Sequence, residues 1–486
     1  MIRYSERLFD MKKIMKGKCR EKFSGLTMPN RILYTTKIII GLWLLAGLTG
    51  CQYRVYERPE MPQTDSLYRQ PVASDDTASI ADLSWKELFT DPLLQQLIET
   101  GIANNTDLNI ARLKVREAEA LLTASKLAYL PSLSLTPQGT LKSVEGNSPT
   151  KTYNLAASAD WELDIFGRIT NAKREAKAVL EQSEAYKQAV HTQLVATIAN
   201  SYYSLLMLDE QLDITRRTAE NWAENLRVMK ALKNAGQTTE MAVAQIEASK
   251  LAVDASVLSL QQQVTEMENS LSALLGLTPQ TIERSTLAGQ TFPDTLSVGV
   301  PLQLLQRRPD VRQSEAALAE AFYATNRAYS AFYPSITLSG SAGWTNAAGA
   351  VITNPGEWLF TAVGSLVQPL FNRGQNIANL KVAKAQQEEA LLTFRQTLLD
   401  AGTEVNNALL QWQVARNRLE LDKQQIASLQ SAVRSSELLM QYSSQNYLEV
   451  LTARQTLLSA ELSAVADRFD EIQGVINLYH ALGGGY

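Results

Sequence analysis

Residues 107–135 read DLNIARLKVREAEALLTASKLAYLPSLSL, and residues 310–338 read DVRQSEAALAEAFYATNRAYSAFYPSITL. In each stretch an aspartate is followed 24 positions later by a proline, Asp107 by Pro131 and Asp310 by Pro334, and the copies stand 203 positions apart (310 − 107). Both begin polar and helical and pass an aromatic junction, Ala128-Tyr129-Leu130-Pro131 or Ala331-Phe332-Tyr333-Pro334. Both then leave as an alternating strand. A helix feeding a strand twice predicts two equivalent halves, and a period near 205 in a chain of 486 residues favours one architecture built from two copies.

Two strand pairs follow these helices. From Tyr153 to Asp164, one face carries Tyr153, Leu155, Ala157, Ala159, Trp161 and Leu163, and the other Asn154, Ala156, Ser158, Asp160, Glu162 and Asp164. Such period-2 alternation marks a strand between an apolar and an aqueous environment. Its second-half counterpart carries Trp358, Phe360, Ala362, Gly364 and Leu366, and the other pair begins at Ser132 and Ser335. Aromatics near strand ends and small or polar inward residues fit an outer-membrane barrel strand. A half-exposed soluble sheet would give the same alternation.

Beyond the strands come related turns, Asp164-Ile165-Phe166-Gly167-Arg168 and Pro369-Leu370-Phe371-Asn372-Arg373-Gly374. No turn signal then appears before Gly236, which predicts a helix of roughly 60 residues, or about 90 Å at 1.5 Å per residue. Val190, Leu194, Ile198, Ser201, Leu205, Leu208 and Leu212 step by fours and threes along it. On the return, Val257, Leu260, Val264, Met267, Leu271 and Leu274 do the same, as do Leu458, Leu462, Val465, Phe469, Ile472, Ile476 and Tyr479 in the second half. Heptad spacing keeps one seam facing a partner, so these helices are expected to supercoil with neighbours. Both hairpins end on glycine, at Leu275-Gly276 and Leu482-Gly483.

The N-terminus carries an export signal. Arg31 and Lys37 precede the apolar run Ile38-Ile39-Ile40-Gly41-Leu42-Trp43-Leu44-Leu45-Ala46, which is too short to span a bilayer, and Leu48-Thr49-Gly50-Cys51 resembles a bacterial lipobox. Cleavage before Cys51 would leave it the only cysteine, acylated and unable to form an internal disulfide. An ordinary signal peptide with an incidental cysteine is the alternative. Met28 would begin a signal of ordinary length. Gln52 in place of aspartate is similar to lipoproteins sorted to the outer membrane. The first 50 residues hold ten Lys/Arg and three Asp/Glu, so the remaining 36 basic and 47 acidic residues leave a formal charge of −11, which disfavours nucleic acid as a partner. The expected organisation is a signal over 1–50, a lipidated arm over 51–82, a first repeat over 83–277, a Thr/Ser/Gly/Pro-rich linker over 278–301 and a second repeat over 302–486.

Four motifs in order, Leu304-Leu305-Gln306-Arg307-Arg308-Pro309-Asp310-Val311-Arg312, Asp164-Ile165-Phe166-Gly167-Arg168, Tyr447-Leu448-Glu449-Val450-Leu451 and Leu478-Tyr479-His480-Ala481-Leu482-Gly483-Gly484-Gly485-Tyr486, resemble the TolC-like outer membrane factors. Within them the chain is similar to the lipoprotein branch paired with resistance-nodulation-division pumps. The resemblance runs from about Leu83 to Tyr486. It implies a mixed α+β membrane protein of duplicated strand-strand-long-helix halves. As a homotrimer, such a protein closes a 12-stranded β-barrel continued by a 12-helix periplasmic coiled-coil tunnel. It also implies an exit duct that passively exports small molecules, with a periplasmic adaptor and an inner-membrane pump as partners. In similar channels a leucine and, four residues later, an aspartate form constriction rings at the periplasmic tip. Here those positions hold Leu448 and Thr452, so an acidic ring is in doubt at that level. Glu449 lies nearby but is rotated about 100° round the helix. Gly236, Thr238 and Glu240 in the first tip, with Ser444 and Tyr447 in the second, are the expected adaptor-contacting residues. Aligning the tips places Leu448 and Thr452 opposite Glu240 and Ala244.

Catalysis is not expected. His191 and His480 are far apart, and neither HExxH nor a cysteine cluster accompanies them, so neither metal nor other cofactor is expected beyond the lipid on Cys51. Two other readings compete with a duct. An outer-membrane-anchored structural coiled-coil lipoprotein would explain the lipobox and helices but not the strands. An adhesin would want longer loops than those near 143–152 and 347–355.

Overall fold

A computed structural model describes residues 55–59, 80, 83–145, 149–292, 307–346, 357–442 and 447–484. Cys51, Ser444 and the linker from 293 to 301 lie outside the described residues. The first half contains α1 (Trp85–Leu88), α2 (Pro92–Asn104), α3 (Thr106–Leu127), β1 (Ser132–Lys142), β2 (Thr150–Leu163), α4 (Arg168–Asn234) and α5 (Glu240–Leu274). The second contains α6 (Pro309–Ser330), β3 (Ser335–Thr345), β4 (Glu357–Val367), α7 (Gln375–Tyr442) and α8 (Tyr447–Ala481). The duplicated helix and strand therefore appear in both halves, α3–β1 matching α6–β3.

The apolar stretch from Leu88 to Ile98 is divided between α1 and α2. Asp91 accepts from Leu93 N (2.9 Å) and starts α2 at Pro92, a proline tolerated in the first turn because its missing N–H would have no helical partner. The long helix exceeds its expected length: α4 has 67 residues and α7 has 68, each about 100 Å at 1.5 Å per residue. The returning helices α5 and α8 have 35 residues each and therefore cover only the distal half. The proximal half is covered by α3 and α6, both 22 residues long. A returning helix and an entering helix thus lie end to end along the long one.

At each end-to-end joint the same geometry recurs. Asn105 caps α3 by accepting from Leu108 N (2.9 Å) and donates its Nδ2 to Leu274 O at the end of α5 (2.9 Å). Arg308, at the equivalent cap of α6, donates Nη1 to Ala481 O at the end of α8 (2.6 Å). One side chain therefore satisfies a terminal carbonyl that would otherwise be orphaned. Opposite helix-end partial charges also meet there favourably. The chain leaves α5 and α8 through Gly276 (φ 70°) and Gly483 (φ 80°), where a Cβ would lie 3.0 Å from Asn104 O and 3.2 Å from Arg308 Cα. Only glycine fits a left-handed backbone pressed against the next helix.

Around these joints lies the main apolar core, with Phe89, Leu94, Ile98, Leu108, Ile198, Tyr202, Leu205, Leu271, Ile472, Ile476 and Leu482 buried. The heptad residues Leu194, Leu208, Leu212 and Val465 are also buried, whereas Val190, Val264, Met267, Leu458 and Leu462 are only partly covered. Described residues 278–292 pack closely against the first half. Ile282 and Leu287 are buried, and Arg284 binds both Asp209 and Glu268. Buried Asp91 accepts from Tyr202 (2.6 Å), Gln290 (3.1 Å) and Ser285. Burial would raise the Asp91 carboxyl, but these donors outweigh it and hold it below its usual range. Burial and Asp91 together push Tyr202 up to about 12.

Arg308 also forms a bidentate pair with Asp310 (3.0 and 2.7 Å) and reaches Glu404 (2.6 Å). Its side chain is 5% exposed, so its charge depends on these partners. Truncating it leaves the buried Ala481 carbonyl without its donor and two partly exposed carboxylates without their partner: Arg308→Ala is expected to cost about 2–3 kcal/mol, against about 1 kcal/mol for Asn105→Ala, which removes a neutral cap. Thermal unfolding of the detergent-solubilised protein checks this, and equal losses would contradict the assignment.

Acid sensitivity follows from the same joint. Burial, with the charge of Arg308, depresses the His480 pKa, and Arg308 holds Asp310 low despite burial. Both contributions are present above the unfolded pKa, roughly 6.5 for His and 3.9 for Asp, and fade as pH falls below it. In the second hairpin Asp467 behaves oppositely, pushed up to about 6 by burial and by Asp422 against the pull of Arg418. Its contribution is present at low pH and lost as pH rises through that value. His480→Gln is therefore expected to flatten the loss of stability between pH 7 and 5, and Asp467→Asn to steepen it. Thermal unfolding across that range reads both.

Candidate functional site

Two surfaces stand out, a sheet at one end of the long helices and a pair of tips at the other. The four strands form one antiparallel sheet in the order β1-β2-β3-β4. Its register aligns Leu135, Ala157, Ala342 and Phe360 across the sheet, and Leu155 with Trp344 and then Trp358. Directly opposed residues share a face, so one face carries Leu133, Leu135, Leu141, Leu155, Trp161, Leu338, Trp344, Trp358, Phe360 and Leu366. The other carries Ser132, Ser134, Thr136, Gln138, Asn154, Ser158, Asp160, Thr337, Ser339, Ser341 and Thr361, with Leu359, Val363 and Val367 as apolar exceptions.

The apolar face is uncovered, with Leu133 82% and Phe360 72% exposed. A monomeric soluble protein rarely leaves such a continuous patch in water. On the polar face, Ser134 bonds Ser158 (2.7 Å) and Ser339 donates to Asp160 (2.6 Å). Aromatics gather at both ends of the apolar face. Trp344 and Trp358 lie 4.4 Å apart beside stacked Phe360 near one end. Near the helices, Phe166 stacks on Tyr333 at 5.2 Å and Trp161 donates to Tyr129 O. No described helix is long and apolar enough to cross a membrane, which says nothing about strands.

The sheet passes to the helices through Asp164, which accepts from Ile169 N and Thr170 N (2.9 and 2.7 Å) at the start of α4. Gly167 (φ 74°) supplies the turn, and Arg168 pairs with Glu162. The motif Asp164 to Arg168 is thus a strand-to-helix converter.

At the opposite end, Gly236 (φ 69°) turns the first hairpin and Thr239 caps α5 through Ala242 N (3.2 Å). Thr238 is half-buried, while exposed Glu240 pairs with Lys233. The tip core comprises Trp222, Leu226, Met229, Ala242, Val243 and Ile246, and Leu451 from the second hairpin packs against it. Tyr447 opens α8. Leu448 is 51% exposed and Glu449 and Thr452 are also exposed, while Val450 is buried. Thr452 donates its hydroxyl to Leu448 O (2.9 Å) rather than outward. Helices α5 and α8 have equal length and start 207 positions apart (447 − 240). At the tips the burial pattern follows an offset of 208: Leu448 and Glu240 are both exposed, Val450 and Ala242 both buried, and Thr452 and Ala244 both exposed.

Between the two joints lies a cleft of about 510 Å³ lined by Asn105, Leu274, Arg308, Glu404 and His480. Among the described residues no group of His, Cys, Asp and Glu could hold a metal. Neither the Asn105 and Arg308 joints nor the Asp91 knot is anticipated from sequence. The one available signal was the equivalence of positions 105 and 308 under the 203-residue offset.

The chain matches the family described as outer membrane efflux protein over residues 97–277 and 300–484. It is 29% identical over 456 residues to the probable outer membrane lipoprotein SilC of Salmonella typhimurium, covering 92% of this chain and 97% of that one. It is 30% identical to the pyoverdine export outer membrane protein OpmQ of Pseudomonas putida, over 86% of this chain and 91% of the other. A crystal structure of CusC aligns with a TM-score of 0.80 at 27% identity, over 89% of this chain and 99% of that one. With both halves matched, strands and long helices alike, the chain belongs to the outer membrane efflux protein family.

Proposed function

We propose that three copies of this chain close a 12-stranded barrel and a 12-helix periplasmic tunnel, forming the passive exit duct of a tripartite efflux system. The two-faced sheet carries this reading. An apolar outer face and a hydroxyl-rich inner face are what a bilayer and a water-filled lumen each require. The order β1-β2-β3-β4 leaves β1 and β4 with unpaired edges, and lipid-exposed edges are too costly to persist. Four strands are too few to close on themselves, so the edges pair with neighbouring copies.

Cys51 carries the lipid that holds the chain to the outer membrane, in keeping with a relative named as an outer membrane lipoprotein. A periplasmic adaptor grips the tips around Gly236, Thr238, Glu240, Ser444 and Tyr447, and connects the duct to an inner-membrane resistance-nodulation-division pump. Catalysis plays no part. Exposed Leu448 narrows the closed tip, since Val450 and Leu451 already supply the packing and leave Leu448 pointing off the helix pair. Thr452, bonded back to its own helix, contributes no charge there. Glu449, exposed on an adjacent face, supplies acidity beside the constriction.

Phe360→Arg on the apolar face is expected to cost about 2–4 kcal/mol at mid-bilayer and to deplete the protein from the outer membrane. Thr361→Arg, one residue along on the polar face, is expected to insert normally. Membrane fractionation distinguishes them, and equal insertion would refute the assignment of faces. For the gate, Leu448→Ala is expected to raise single-channel conductance in planar bilayers, and unchanged conductance counts against Leu448 as the constriction.

A further inference from the structure

Three carboxylates and one arginine meet where α7 and α8 pack in the second hairpin. Asp467 of α8 is 2% exposed, and its Oδ1 lies 2.7 Å from the Arg418 guanidinium of α7. Arg418 also reaches Asp470 at 4.0 Å. One turn along α7, the Asp422 carboxyl is within hydrogen-bonding reach of Asp467, and its Oδ2 is shut off from solvent without a hydrogen-bond donor among the described residues. An ionised carboxylate only accepts hydrogen bonds, so two of them cannot satisfy each other in a buried seam. A proton held between them makes one oxygen a donor to the other and leaves one negative charge for Arg418 to balance. No group of His, Cys, Asp and Glu among the described residues could hold a metal in its place.

The charges that act on Asp467 are Arg418 and Asp422 from α7 and Asp470 from its own helix. On the side of α8 that faces α4, Glu210 and Arg217 of α4 line a cleft with Glu461 and Arg468 of α8. Arg217 pairs there with Asp213, and Arg468 with Glu471 and the Gln290 carbonyl, so the cations of that side are committed elsewhere. Burial and Asp422 accordingly push Asp467 up to about 6 against the pull of Arg418. The first hairpin is built differently at the same place. Gly167 and Gly374 start the long helices, and Gly276 and Gly483 end the returning ones, in both cases 207 positions apart (374 − 167 and 483 − 276). That offset sets Arg418, Asp422 and Asp467 against Gln211, Thr215 and Leu260. Thr215 is buried and donates its hydroxyl to Gln211 O (2.7 Å), so these positions of the first seam carry no charge.

We propose that Asp422 and Asp467 share one proton and that its loss loosens the α7–α8 seam, making the second hairpin a pH-sensitive element that the first hairpin lacks. A carboxyl held above its ordinary range contributes fully below the unfolded value of roughly 3.9. That contribution is lost as pH rises through about 6. Above it, two buried negative charges face one arginine, and the cost of burying the second is uncompensated. The seam is therefore tight in acid and loose at neutral pH. Asp422 stands 20 residues (442 − 422) from the end of α7 and Asp467 20 residues (467 − 447) from the start of α8, which places the pair about 30 Å from the tip. Leu448 lies in the first turn of the same α8, so a tight seam holds the tip narrow and a loose one frees it. This last step rests on the reading of Leu448 as the constriction, whereas the shared proton does not.

Hydrogen exchange of the full-length protein in detergent tests the seam. Amides of α8 are measured against those of α5 in the same sample, so that the intrinsic effect of pH on exchange cancels. Between pH 5 and pH 8 the α8-to-α5 ratio is expected to rise several-fold in the unaltered protein. Asp422→Asn, whose amide donates to Asp467 at every pH, is expected to hold the ratio at its acid value. A ratio that does not change with pH in the unaltered protein, or a rise that survives Asp422→Asn, would overturn the shared proton. Single-channel conductance in planar bilayers then reads the tip. It is expected to fall several-fold from pH 8 to pH 5, and to stay at its low value throughout in Asp422→Asn. A pH-dependent exchange ratio beside a conductance indifferent to Asp422→Asn would overturn the link to the tip, and with it Leu448 as the constriction, while the shared proton stands.

Discussion

The two joints at Asn105 and Arg308 are the constraint on which the rest of the structure depends. Each half must place a 22-residue helix and a 35-residue helix end to end along a single helix of nearly 70 residues. Abutting helix ends expose carbonyls on one side and N–H groups on the other, and burial without partners would be costly. At the first joint Asn105 both caps α3 and donates to the end of α5, while at the second Arg308 donates to the end of α8 without a side-chain cap on α6. A left-handed glycine then lets the chain leave without a side chain in the joint. The largest apolar core gathers where these joints are, not at the sheet or the tips.

The halves are equivalent in geometry but not in chemistry. Asn105 is neutral, while Arg308 brings a charge that Asp310 and Glu404 must balance and beside which His480 stays neutral. The second joint is therefore bound to α7 as well as to α8, and it is more sensitive to acid. At the far end the asymmetry takes another form. The first tip has its own core around Trp222 and Val243, whereas the second contributes Leu451 to that core and leaves Leu448 uncovered.

Much of this was legible in the sequence because periodicity is a local property. The repeat beginning at Asp107 and Asp310, the alternation through Tyr153 to Leu163 and the heptads of α4 and α8 each depend on residues a few positions apart. What escaped depends on contacts far apart in the chain. Asn105 meeting Leu274, Asp91 meeting Ser285 and Gln290, and Arg58 meeting Glu315 join segments between 169 and 257 positions apart, and no local pattern announces them.

A sheet with one apolar face, one hydroxyl-rich face and two open edges is the observation from which we propose that this chain closes a barrel with other copies. Its closure by other copies is the central claim. Native mass spectrometry of the unheated, detergent-extracted protein tests it most directly. Particles of three chains, with no stable monomer, are the predicted result. A membrane-inserted monomer, or a particle of any other copy number, would contradict the account.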